Sequence, residues 1–173
     1  MFEGWENFFL IVGPSAGALI GLMFVVVTLS QGRDTEQYEA GKHLYTSPIV
    51  WHLGVVLGLS AAAVAPPVTP KLFGIAVGVL ALSGIGFGLR STIGIARRRL
   101  TGADTMFDAW FYGIFPTVTY VAMAASAMAM LLGCHWAETA VAASLMALLM
   151  VSIHAEWDLV TFLAPRAQAD KKS

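Results

Sequence analysis

The sequence predicts an all-α integral membrane protein: a five-helix transmembrane bundle, N-terminus outside and C-terminus cytoplasmic, built as one domain over residues 1–173. Three observations predict it. Hydrophobic residues make up 57% of the chain and charged residues 12%, about half of the roughly 25% charge usual in soluble domains; mean hydropathy is +0.72. A soluble domain of this length could not bury so much apolar surface, so the solvent is the lipid bilayer. Five apolar runs, at 5–30, 48–65, 71–96, 109–132 and 137–164, approach the about 20 residues needed to cross hydrocarbon. Finally, five spans gather the basic residues on one side.

The chain opens with MFEGWENFF, where Glu3 and Glu6 stand in place of the positive charge that opens a signal peptide. A retained helix is expected. It contains GPSAGALIG, which puts Gly13, Gly17 and Gly21 on one stripe. In lipid, helices associate by close packing, which small residues permit. Pro14 leaves the Leu10 carbonyl without its helical donor and predicts a kink. The second run is the shortest; its about 18 residues give roughly 27 Å of helix, and Pro66, Pro67 and Pro70 stop it. Gly54 and Gly58 repeat the small-residue spacing there, as Gly74, Gly78, Gly84 and Gly88 do in the third run. Alanine and serine replace glycine in the fourth and fifth (Ala122 and Ser126, Ala143 and Ala147). The fifth is long enough to tilt. These stripes are expected to pack helices within the chain or to form a protomer interface.

Orientation follows from Lys and Arg. One side receives Arg33 and Lys42, Arg97, Arg98 and Arg99, and Arg166, Lys171 and Lys172, with Arg90 leaning the same way; the other receives only Lys71, nine against one. The basic side is cytoplasmic. Trp5, Trp51, Trp110, Trp136 and Trp157 fall mostly near span ends, as an interfacial belt requires.

Several function classes lose support. A net charge of −1 gives no field for nucleic acid, and a single cysteine, Cys134, forms no internal disulfide. Phosphate loops, dinucleotide fingerprints, zinc-protease helices and nucleophile elbows are missing, so nothing in the sequence argues for an enzyme. No segment is left for a soluble domain.

Charged groups inside spans are costly and are functional candidates by default. His52, Arg90, His154, Glu156 and Asp158 form such a cluster toward the cytoplasmic half. In HAEWDLVTF, His154 and Asp158 share a face at four-residue spacing, and Glu156 points nearly the opposite way. Four readings compete: a clamp in which Arg90 pairs with Asp158 or Glu156; a proton or ion pathway through His52, His154 and Asp158; a metal site of those three residues; and b-haem held by His52 and His154. On the outer side, GCHWAE offers Cys134, His135 and Glu138 as metal ligands or as a plain turn.

The segments GPSAGALIGLMFVVVTLS, YTSPIVWHLGVVL and SIHAEWDLVTFLA resemble a group of small, uncharacterised bacterial multi-spanning inner-membrane proteins. The likeness rests on the first-helix stripe, on Ser47 and Pro48 before His52, and on His154, Trp157 and Asp158; Glu156 departs from the polar or neutral residue of that pattern. The resemblance implies a bacterial inner-membrane location and no activity. The expected function is an accessory or assembly subunit of a larger membrane complex. The alternatives are a homo-oligomeric ion or proton channel or small transporter, and a haem- or metal-binding redox protein.

Overall fold

The structure is a computed structural model that describes residues 4–29, 36–66, 68–99 and 113–163. All five elements are helices: α1 (Glu6–Leu29), α2 (Glu36–Val64), α3 (Pro70–Arg99), α4 (Phe115–Leu131) and α5 (Ala137–Leu163). Stretches of α1, α3 and α5 are long and apolar enough to cross a membrane, namely Glu6–Thr28, Pro70–Arg90 and Ala137–Asp158. The apolar parts of α2 and α4, Pro48–Val64 and Phe115–Leu131, are shorter.

Two boundaries differ from the sequence reading. α2 begins at Glu36, within the expected 31–47 loop. The polar segment EQYEAGKHL is rich in good helix formers, and Pro48 inside the helix removes a single backbone donor. α4 begins at Phe115 with proline in its first turn, where the missing N–H costs nothing. Residues 109–112, Arg33 and the basic tail lie outside the described residues.

The ends of the helices follow capping chemistry. The Thr69 hydroxyl accepts the Leu72 N–H at 3.3 Å, an N-cap with Pro70 as the first helical residue. α4 closes with Gly133 at φ 79; the Gly133 N–H reaches Met130 O at 3.1 Å and the Cys134 N–H reaches Ala129 O at 2.9 Å. This paired closure at a left-handed glycine turns the chain into α5 within five residues, 132–136.

The helices form a ring. α1 packs on α2, α2 on α3, α3 on α4, α4 on α5 and α5 on α1, with α2 and α5 also touching across it. Each helix buries one row at helical spacing: Phe9, Val12 and Ala16; Ile49, Leu53 and Val56; Phe73, Val77 and Ala81; Tyr120, Met123 and Ala127; Val141, Leu145 and Leu148. The outer faces are equally apolar, with Ile11, Phe24, Val79, Leu82, Val118 and Leu132 all exposed. Such a surface suits lipid rather than water. Hydroxyls are spent locally: Ser15, Thr28, Ser83, Ser126, Ser144 and Ser152 each donate to the carbonyl four residues earlier. This is the common way to satisfy a hydroxyl in a membrane helix.

The glycines divide into two groups. A methyl at Gly84 would strike the Tyr120 ring, and one at Gly88 would strike the Thr117 hydroxyl. At Gly74 it would lie 3.3 Å from Leu131, at Gly78 3.6 Å from Ala127, at Gly13 2.9 Å from Ser60 and at Gly17 3.9 Å from Leu57. Gly21, Gly54 and Gly58 instead face open space. At these three positions the close contact inside the chain is not made, which leaves the protomer-interface alternative for their stripes.

Candidate functional site

The polar residues of the expected layer do not assemble in one place. His52 is buried on α2, and its Nδ1 lies 2.8 Å from the Tyr120 hydroxyl of α4. α2 and α4 do not pack on each other, so this bond spans the middle of the ring. Gly84 on α3 makes room for the Tyr120 ring. Trp51 stacks on Phe87 at a centroid distance of 5.2 Å and an interplanar angle of 15°. Its indole N–H is buried and turns toward the same hydroxyl without closing a well-formed hydrogen bond. The result is a small polar knot, joining α2 and α4, within an apolar core.

The α5 groups part company. His154 and Asp158 lie on an outward face and approach each other at 3.5 Å, Nε2 to Oδ2, with side chains 49% and 43% exposed. Trp157 beside them is exposed. Glu156 turns inward, is only 6% exposed, and its Oε1 has no hydrogen-bond partner. Arg90 is exposed on α3, a helix that does not touch α5.

This arrangement corrects the expected clusters. Among the described residues Arg90 makes no ion pair, so the clamp with Asp158 or Glu156 is not formed within the chain; the two helices carrying the charges are not neighbours. His52 and His154 cannot flank one haem, because the first is enclosed and bonded to Tyr120 while the second faces outward. Among the described residues no three His, Cys, Asp or Glu side chains gather to hold a metal ion. Cys134, His135 and Glu138 belong to the α4–α5 turn and first turn of α5, where the Cys134 N–H and carbonyl both serve the turn's own hydrogen bonds.

Tyr120 was not among the residues singled out by sequence. The signal was available: a lone tyrosine in the middle of TVTYVAMAASAMAM must find its hydroxyl a partner when buried, and His52 was the obvious candidate.

A second feature lies on the outer surface. Val50, Trp51, Gly54 and Val55 of α2 and Leu80 and Phe87 of α3 line an apolar groove of about 470 Å³. It opens on the face that carries the uncovered Gly54 and Gly58. No known protein family, no characterised protein and no solved structure matches this chain.

Proposed function

We propose that the protein is a small polytopic subunit of the bacterial inner membrane, crossing the bilayer five times with its N-terminus outside, which docks on a larger membrane complex as an accessory or assembly factor. The observation that carries this reading is the α2–α3 groove with Gly54 and Gly58 bare beside it. Helix association in lipid depends on close van der Waals contact, which exposed glycine backbone permits. The core supports the same reading. The Ser126, Ser144 and Ser152 hydroxyls bond their own helices, and the buried rows are mostly apolar, which weighs against a water-lined path through one protomer. The nine-to-one charge split supports the orientation.

The test is native mass spectrometry of the protein extracted gently from its own membranes. A foreign subunit is expected to travel with it, and Gly58→Ile is expected to release that subunit while leaving the melting temperature of the isolated chain unchanged. A homo-oligomer of fixed size carrying nothing else would replace this reading with the channel or transporter. Added mass equal to a haem or a metal ion would replace it with the redox protein.

A further inference from the structure

Glu156 lies on the inner face of α5, 6% exposed, with Oε1 unpartnered. It borders a cavity of about 10 Å³, walled by Leu22, Met23 and Val26 of α1 and by Val160 one turn further along α5. A buried carboxyl needs a ligand, and the wall limits which one it can be. A water molecule needs about 10–15 Å³ of such space and two to four polar partners. The space is barely sufficient, and the wall offers one polar group. Hard cations are held by several oxygens, six or more for calcium; here there is one carboxyl. A proton needs no second partner and almost no room.

We propose that Glu156 is a proton-binding site at the seam of α1 and α5. The carboxyl holds its proton while Leu22, Met23 and Val26 close over it, and releases it only when the two helices part and admit water. The groups that face this seam are consistent with the assignment. α1 brings three apolar side chains. On α5, His154 and Asp158 turn to the outward face and approach each other. On α2, the described titratable group near the core, His52, is engaged with Tyr120. α4 carries no charged residue between Phe115 and Leu131. None of these supplies a donor to Oε1. The site does not depend on the docking reading.

The experiment is carboxyl mapping on the full chain in detergent micelles. Dicyclohexylcarbodiimide, an apolar reagent, reacts with a protonated carboxyl: the O–H adds across N=C=N to give an O-acylisourea. An O-to-N acyl shift then gives a stable N-acylurea. One intact carbodiimide is retained and nothing leaves. Peptide mass mapping is expected to find the adduct on Glu156, declining as pH is raised, lost in Glu156→Gln and kept in Asp158→Asn. A water-soluble carbodiimide with an amine nucleophile is expected to modify Asp158 and spare Glu156. Equal modification of Glu156 by the water-soluble reagent overturns the proposal. So does failure of the apolar reagent to label Glu156 in the folded chain when the same carboxyl reacts after unfolding in strong detergent.

Discussion

At the scale of single residues, the bond between His52 and Tyr120 is the polar contact on which most depends, because it is buried at 2.8 Å and joins helices that do not otherwise pack together. Tyr120→Phe removes the hydroxyl and leaves the imidazole without its partner; the expected loss is about 1–3 kcal/mol. Combining it with His52→Leu is expected to recover part of that loss, since both polar groups are then gone. Thermal unfolding in detergent of the two single variants and the double measures the coupling; strictly additive losses would show that the bond contributes nothing. Sequence reasoning identified His52 as out of place in lipid, and it is indeed buried. It paired His52 with the wrong neighbours, because depth along a helix is legible from residue number while azimuth around a helix depends on which helices adjoin it. Glu156 shows the same limit. Its opposition to His154 and Asp158 was legible from spacing, but not that its own face was the buried one.

At the scale of helices, the glycines separate into those that admit a neighbour and those that do not. Gly84→Ala would force the Tyr120 ring aside, an overpacking change expected to cost about 1–3 kcal/mol and to weaken the His52–Tyr120 coupling with it. Gly58→Ala, with nothing within reach, is expected to leave the isolated chain's melting temperature unchanged or slightly raised. Equal stabilisation by the two substitutions would mean that helix propensity, rather than contact, governs both positions. The four-residue spacing of glycines was plain in the sequence. Which stripe met a partner was not, since spacing is a property of one helix and contact a property of two. The helix ends were more legible. The prolines after the second run act through local backbone chemistry, which needs no knowledge of the rest of the fold, although Pro70, read as part of that stop, opens α3. The polar start of α2 was missed because low hydropathy marks the edge of a span and says nothing about where a helix begins.

At the scale of the whole molecule, composition was sufficient to predict a helical protein in lipid, and the apolar outer faces agree with it. The proposed threading sets the α4–α5 turn outside. Cys134 lies in that turn, partly exposed, and is the sole cysteine, so the natural chain carries its own reporter. A membrane-impermeant maleimide applied to intact cells is expected to label it, and to label His135→Cys in a Cys134→Ser background more fully, because His135 is exposed. Protection of both until the cells are broken would invert the topology. The ring order itself was not readable from the sequence. Consecutive helices pack side by side, and the contacts of α5 with α2 and α1 arise from closure of the ring.

That closure has a consequence in time. α1 with α2 and α3 with α4 are pairs of consecutive helices, and between the two pairs α2 packs on α3 and His52 of α2 bonds Tyr120 of α4. The last of the five described helices, α5, is made after the other four and meets α4, α2 and α1 together. Until it arrives, the nascent chain holds two hairpins joined by the α2–α3 packing and the His52–Tyr120 bond, with the ring open on the side that α5 will fill. Synthesis order therefore makes α5 the committing step of biogenesis. A chain released before residue 137 has every earlier helix and no closed bundle, and is the form that a membrane quality-control protease should meet first.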